Sequence, residues 1–181
     1  MLGGLAAAGV ASLAGCLGGP TGDEPVPDPV ALDGGKQCDV CGMVIADHPG
    51  PNGQIFYRDH APEGHDNPAW FDSVKEQFAY HFEKQRFDWE ALVVYATDYS
   101  AVDYRLFTER DTTYISCHVE PGSFADAADL VYVVGSEVHG AMGPDLIPFG
   151  DRADATAFSG DHGGEVLAYD DIDASTLARA S

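Results

Sequence analysis

Basic residues are scarce in this chain of 181 residues. It has 9 Lys and Arg against 30 Asp and Glu, which gives a formal net charge of −21 at pH 7. This charge excludes nucleic acid and anionic lipid headgroups as main partners, because both are bound through a basic patch that releases counterions. The hydrophobic share of 45% and the mean hydropathy of −0.14 are ordinary for a globular protein and exclude wholesale disorder. The carboxylate excess favours a halophilic source.

The sequence also lacks the common motifs of catalysis. It has no Ser-His-Asp arrangement, no glycine-rich loop of the kind that binds phosphate, and no H-E-x-x-H pattern. The many carboxylates form no distinguishable acid/base pair and are typical of a solvated surface. We therefore expect a binding protein and not an enzyme.

The first residues contain no charge and too few apolar residues to cross a bilayer. Residues 1–15 are a run of small apolar residues, whereas a membrane-spanning helix needs about 20. The run ends in Leu13-Ala14-Gly15-Cys16, which matches a lipobox at the end of a signal segment. It predicts lipidation of Cys16 and a lipid anchor at the extracytoplasmic face of the cell membrane. A short buried helix that ends in Cys is the alternative.

A stretch without apolar periodicity follows the signal segment. Residues 17–36 contain four Pro and five Gly, a composition typical of a linker. We expect a tether over residues 16–36, which at ~3.1 Å per residue spans up to about 60 Å. A folded domain is expected over residues 37–173, with a tail over residues 174–181.

The hydrophobic pattern of the domain predicts an α+β fold. Asn67 and Pro68 are expected to start a helix that runs to about Lys84, and Asp151 to cap a second helix through Phe158. Phe71-Asp72 and Phe149-Gly150-Asp151 both precede a helix, so we predict two similar small lobes of strands, with one helix each and a shared core. Strands are predicted over residues 54–58, 91–97, 101–107, 113–118, 130–135 and 165–169.

Sulfur-containing residues are few and grouped. The motif Cys38-Asp39-Val40-Cys41 is followed by Gly42-Met43, and Met142 lies in the glycine-rich segment Gly140–Gly143. Thiolate and thioether sulfurs are the soft ligands that Cu(I) prefers. Gly42 allows the chain to turn so that both neighbouring sulfurs reach one ion. The pattern predicts a Cu(I) site of Cys41, Met43 and Met142, whereas ordinary packing of each Met is the alternative.

Four sequence blocks resemble the NosL lipoproteins, which are copper accessory proteins of nitrous oxide reductase. They are CGMVIADHPGPNGQI (Cys41–Ile55), NPAWFDSV (Asn67–Val74), VVGSEVHGAMGPDLIPF (Val133–Phe149) and HGGEVLAYDDI (His162–Ile172), and the resemblance extends over roughly residues 38–173. It implies a membrane-anchored Cu(I) chaperone that serves the reductase together with an ABC-type transport complex. It also implies that the sulfur ligands are Cys41, Met43 and Met142.

Two cysteines depart from the pattern of that family. Cys38 and Cys117 are additional, and three cysteines outside the membrane are an odd number of oxidisable thiols. A Cys38–Cys117 disulfide would leave Cys41 as the copper thiolate, whereas Cys38 as an additional ligand is the competing hypothesis. His139 and His48 are secondary candidates for a further copper ligand.

Two other functions compete with a copper site. Cys38, Cys41, Cys117 and His118 could form a structural zinc site, although adjacent residues of a strand point to opposite faces. The Cys38-x-x-Cys41 motif could belong to a disulfide oxidoreductase, but such motifs begin a helix, and this one leads into Pro49-Gly50-Pro51.

Overall fold

The computed structural model describes residues 25–180 and has an α+β fold, as predicted. The described chain forms two β-sheets and three α-helices. The strands are β1 (Gly53–Tyr57), β2 (Ala69–Phe71), β3 (Ala91–Thr97), β4 (Leu106–Glu109), β5 (Thr112–Ile115), β6 (Phe124–Asp126), β7 (Val131–Gly140), β8 (Gly143–Phe149) and β9 (Glu165–Ala168), and the helices are α1 (Val74–Gln85), α2 (Arg152–His162) and α3 (Ala174–Arg179). Within the described residues, no helix is both long and apolar enough to cross a membrane.

The two sheets contain the same arrangement of elements. In the first sheet, β1 lies between β2 and β3 and is antiparallel to both, and α1 connects β2 to β3. In the second sheet, β7 lies between β8 and β9 and is antiparallel to both, and α2 connects β8 to β9. This repeated strand–strand–helix–strand order is compatible with the predicted pair of similar lobes. We call residues 53–97 the first unit and residues 131–168 the second unit.

Each sheet is completed by strands outside its unit. The first sheet has the order β2-β1-β3-β6. In the second sheet, β4 pairs with β5, and β5 pairs in parallel with the last residues of β7.

Helix α1 of the first unit packs against the second unit. Its buried residues Val74 and Phe78 belong to one hydrophobic cluster with Tyr132 and Leu146 of the second unit. Phe78 also meets the ring of Tyr132 at 5.4 Å in an edge-to-face arrangement. The two units therefore share this hydrophobic cluster, and the helix of the first unit packs against the second.

The predicted start of the first helix is wrong. Asn67 does not cap it; its side chain exchanges two hydrogen bonds with the backbone of Tyr57, at 2.8 and 3.2 Å. The residues that follow pair with β1 as β2, because Ala69 and Phe71 alternate as buried residues on one face of the sheet. The helix begins at Val74, and its N-cap is Ser73, whose hydroxyl accepts from Glu76 N at 3.2 Å.

The other predicted elements are present with shifted ends. The predicted strand over residues 101–107 starts only at Leu106, and α2 extends to His162 instead of ending at Phe158. The strand over residues 91–97 has the predicted bounds.

Part of the predicted tether packs on the domain. The Gln54 side chain accepts from Val30 N and donates to Val30 O, both at 2.9 Å, and Tyr95 Oη donates to Pro27 O at 2.8 Å. Leu32 is fully buried. Packed chain therefore begins before the predicted boundary between residues 36 and 37. The predicted tail likewise contains α3, and the signal segment and Cys16 lie outside the described residues.

Candidate metal centre

The Cys38–Cys41 motif forms a tight turn. Gly42 N donates to Cys38 O and Cys38 N donates to Met43 O, both at 2.9 Å. An isolated antiparallel bridge between Gln37 and Val44 closes the base of the turn. Gly42 has a φ of 76°, a left-handed conformation that favours glycine over residues with a Cβ atom. The turn thus brings the two cysteine side chains to the same place.

Two carboxylates from the start of α1 face these thiols. Cys41 Sγ donates to Asp72 Oδ2 at 3.4 Å, and Cys38 Sγ donates to Glu76 Oε2 at 3.3 Å. The four ligand atoms of Cys38, Cys41, Asp72 and Glu76 all lie within 4.8 Å of one another. We call these four residues the thiol–carboxylate cluster.

Asp72 and Glu76 were missed in the sequence analysis. The signal available was two acidic residues four positions apart in the segment that the sequence predicts as a helix, where side chains at that spacing lie on one side. Nothing local connected them with cysteines more than thirty positions earlier, because that contact depends on the pairing of β2 with β1.

Burial and negative charge favour the protonated form of the thiols of the cluster. Burial raises the pKa of Cys38 strongly and the pKa of Cys41 to a lesser degree, and the charge of Asp72 raises both further. Burial also raises the pKa of Glu76. A disulfide oxidoreductase needs the opposite, a thiol whose pKa is lowered. A soft cation, in contrast, can replace the thiol protons as it binds.

An open cleft of about 660 Å³ gives access to the cluster. Cys41 is partly exposed on its wall, whereas Cys38 is only 3% exposed. Trp70 and His65 line the same cleft with their rings stacked at 3.7 Å, and His65 Nε2 lies 3.0 Å from Asp39 Oδ1. A ligand or partner group therefore reaches Cys41 before Cys38.

The structure places the other predicted copper ligands differently. Met43 follows the cysteine turn directly, and its carbonyl oxygen closes that turn. Met142 lies 43% exposed in the turn between β7 and β8, in the second unit. That turn approaches Gly50, where an added Cβ atom would come within 2.5 Å of Gly140 Cα. Met142 is thus carried by a different part of the fold from the thiol–carboxylate cluster.

The two candidate histidines also lie outside the cluster. His139 is paired with Tyr114 across the parallel strands β5 and β7, and its ring meets the Tyr114 ring edge-on at 6.0 Å. His48 lines a second cleft, together with Cys117 and Ala141.

The hypothesised Cys38–Cys117 disulfide is not formed in the structure. All three described cysteines are free, and Cys117 Sγ accepts from the buried Asn52 side chain at 2.9 Å. His118 Nε2 contacts Ser116 Oγ at 3.1 Å. Neither Cys117 nor His118 belongs to the thiol–carboxylate cluster, so the alternative zinc site of Cys38, Cys41, Cys117 and His118 is not assembled either.

Known proteins match this chain over most of its length. The NosL family model matches residues 29–177. A copper-binding lipoprotein NosL from Stutzerimonas stutzeri is 30% identical over 154 residues, which cover 85% of this chain and 70% of that protein. Its namesake from Achromobacter cycloclastes is 37% identical over 133 residues, or 73% of this chain and 61% of that protein.

A solved structure matches the fold as well. The crystal structure of the copper chaperone NosL from Shewanella denitrificans aligns with a TM-score of 0.66 at 25% identity, and the alignment covers 83% of this chain and 98% of that one. The family match over residues 29–177 includes both units and the cysteine turn between residues 38 and 41. This chain belongs to the NosL family.

Proposed function

We propose that this chain is a membrane-anchored, extracytoplasmic Cu(I) chaperone that delivers copper for the maturation of nitrous oxide reductase. The observation that carries the proposal is the convergence of two thiols in a turn beside an open cleft. The relatives named as copper-binding lipoproteins and as a copper chaperone support the same metal.

Cys41 is the central copper ligand of this proposal. It is the more exposed thiol, and Met43 follows it two residues later. Cys38 supplies a second thiolate from the same turn, and this second soft ligand strengthens the preference of the site for Cu(I). Met142 completes the site as a mobile donor when the turn between β7 and β8 closes over the metal, with His139 and His48 as further candidates.

The open position of Cys41 suits transfer as well as binding. A partner's sulfur ligand can enter through the cleft and replace the donors of the chain one at a time. A closed four-ligand cage of the structural type would hold its ion without such a route. The site therefore binds and hands on a metal and needs no chemical step of its own, as in a carrier and not an enzyme.

The proposed partners follow from the family. They are nitrous oxide reductase and its ABC-type transport complex, and the lipid at Cys16 keeps the chain at the extracytoplasmic membrane face. Mixing the copper-loaded chain with copper-free reductase tests the delivery step. We expect copper to move into the reductase, and retention of all copper by this chain would contradict the assigned client.

Copper binding is tested by anaerobic competition with a Cu(I) chelator in high salt. We expect one Cu(I) per chain and a loss of affinity of more than ~100-fold in Cys41→Ser, because a thiolate ligand is removed outright. Met43→Leu and Met142→Leu should weaken binding by about 10-fold each, since they remove weaker thioether ligands.

Cys117→Ser is the matched control for that experiment. Its sulfur accepts a hydrogen bond from the Asn52 side chain and lies outside the cluster. This variant should therefore keep the Cu(I) affinity of the unmodified chain. Unchanged affinity in Cys41→Ser would reject the ligand assignment. Tight Zn(II) binding without Cu(I) binding would favour the zinc-stabilised lipoprotein as the alternative function.

A further inference from the structure

The two cluster thiols are close enough to bond to each other. Cys38 Sγ and Cys41 Sγ lie within 4.8 Å in one hydrogen-bonded turn. A disulfide needs a sulfur–sulfur distance of about 2.05 Å. A change of rotamer moves a Sγ atom by up to ~3 Å, so side-chain rotation supplies this approach without unfolding the turn.

The two thiols differ in access. Both cysteines line the cleft, but Cys41 is partly exposed there, whereas Cys38 is only 3% exposed. A small reagent in the cleft therefore meets Cys41 first, and Cys38 is the nearest thiol to any adduct formed there. Cys117 takes no part, because its sulfur faces Asn52 and the carbonyl oxygen of Ile45.

We propose that Cys38 and Cys41 are a modification site, joined into a reversible disulfide by a low-molecular-weight disulfide, and that the oxidised chain does not hold Cu(I). The bond itself is independent of the copper function, and only its consequence rests on the proposed function. The chain would thus stop binding Cu(I) in an oxidising environment and bind it again after reduction.

The reaction is two successive thiol–disulfide exchanges. Cys41 gives up its proton, and its Sγ attacks one sulfur of the small disulfide, breaking that bond and releasing the first small thiol. Cys38 then gives up its proton, and its Sγ attacks Cys41 Sγ and releases the second small thiol. Two protein thiols are oxidised, one small disulfide is reduced, and the two cysteine protons end on the two released thiols.

Oxidation removes the ligands that copper needs. The thiolate is the form of cysteine that binds metals, and both sulfurs of a disulfide have lost that charge. Bound Cu(I), in turn, occupies the sulfur that must make the first attack. Copper loading and disulfide formation are therefore mutually exclusive states of one turn.

Peptide mapping of the full chain tests the bond directly. The reduced, metal-free chain is treated with a small disulfide, its remaining thiols are alkylated, and the chain is cut with trypsin. Peptide 37–58 contains both cysteines, and peptide 111–152 contains Cys117. We expect peptide 37–58 to lack two hydrogens and carry no alkyl group, and peptide 111–152 to be fully alkylated.

Three variants sharpen the result. Cys38→Ser should stop at a mixed disulfide on Cys41, and Cys117→Ser should form the internal disulfide like the unmodified chain. In the unmodified chain, a persistent mixed disulfide, two alkylated cysteines in peptide 37–58, or a bond between peptides 37–58 and 111–152 would overturn the inference. Cys41→Ser should leave Cys38 unmodified at the same reagent concentration, because Cys38 is buried.

Copper competition on the two forms separates this inference from the proposed function. We expect oxidation to weaken Cu(I) binding by more than ~100-fold and a dithiol reductant to restore it. Unchanged binding after complete disulfide formation would overturn the switch. A reduced chain that fails to bind Cu(I) would instead contradict the proposed function, while the peptide map still decides whether the bond forms.

Discussion

The two units share a topology but differ at the junction between the second strand and the helix. In the second unit, Asp151 follows Phe149 and Gly150 and caps α2, accepting from Ala153 N at 2.7 Å. In the first unit, Ser73 caps α1, and Asp72 faces the Cys41 thiol instead. A serine at the cap thus leaves the neighbouring aspartate available to the metal centre.

The helices of the two units also differ in their surroundings. Helix α1 packs against the second unit through Val74 and Phe78 and carries Glu76 to the cluster. Helix α2 leaves most of its residues exposed, although Ala155 and Phe158 are buried. The same order of elements thus supports a metal-binding junction in one unit and an ordinary helix cap in the other.

Asp145 of β8 connects the second unit to the first. We expect its titration to have the largest effect on the stability of the fold. Its Oδ1 accepts from Lys75 N and Leu146 N, both at 2.8 Å, while its buried Oδ2 has no partner among the described residues. Burial raises the pKa of this carboxyl to about 7. The folded chain therefore binds a proton between about pH 4 and pH 7 that the unfolded chain has already lost.

The sign of the resulting pH effect follows from that proton. Stability should fall as pH rises from about 4 to 7 and then level off, by roughly 4 kcal/mol for this group at 1.36 kcal/mol per pKa unit. Denaturant unfolding of the unmodified chain and of Asp145→Asn across this pH range measures the effect. It is the difference between the two slopes of unfolding free energy against pH. The exposed Asp161→Asn is the control, and an equal slope in Asp145→Asn would contradict the prediction.

The two helix caps allow a direct comparison between the units. Ser73→Ala and Asp151→Ala should each lower the free energy of unfolding by about 1 kcal/mol, because each removes a side-chain acceptor at a helix start. Only Ser73→Ala should also weaken Cu(I) binding, by a few-fold, since the neighbouring Asp72 can then turn from Cys41 to accept from the freed backbone N–H of Glu76. Equal copper affinity in both variants would show that the choice of cap is unrelated to the metal centre.

The smallest effects concern the stability contributed by the sulfur residues themselves. Cys38→Ala should destabilise the metal-free chain by about 1 kcal/mol, because a buried side chain and its hydrogen bond to Glu76 are lost. Met142→Ala should change stability by less than ~0.5 kcal/mol, since this side chain is 43% exposed. Thermal unfolding without metal compares the two, and a larger loss in Met142→Ala would mean that Met142 is a packing residue.

Local pattern was sufficient for most of the fold. The apolar run Ala91–Thr97 predicted a buried strand with the observed bounds, and Asp151 was identified correctly as the cap of α2. The pattern failed at β2, where Asn67-Pro68 has the composition of a helix start. There the decisive interaction is the pairing of β2 with β1, which depends on residues outside the segment.

The candidate site was only half predictable for the same reason. The spacing of Cys38 and Cys41 marked them as a pair, and Gly42 marked the turn that joins them. The carboxylates of Asp72 and Glu76 come from a helix whose start was misplaced, so their approach to the thiols was not visible. Met142 was grouped with Cys41 on chemistry and family resemblance alone, and its position in the second unit depends on the fold.

The hydrogen bonds between Gln54 and Val30 shorten the segment that would separate the domain from the proposed lipid anchor. They fix the chain to the first sheet from about Pro27 onward, which is nine residues before the predicted end of the tether at residue 36. If Cys16 carries the proposed lipid, the length of chain from residue 16 to residue 27 would limit the reach of the domain to about 35 Å at ~3.1 Å per residue, instead of about 60 Å. Under the proposed anchoring, a domain held at this shorter distance would meet membrane-bound partners at a higher effective concentration.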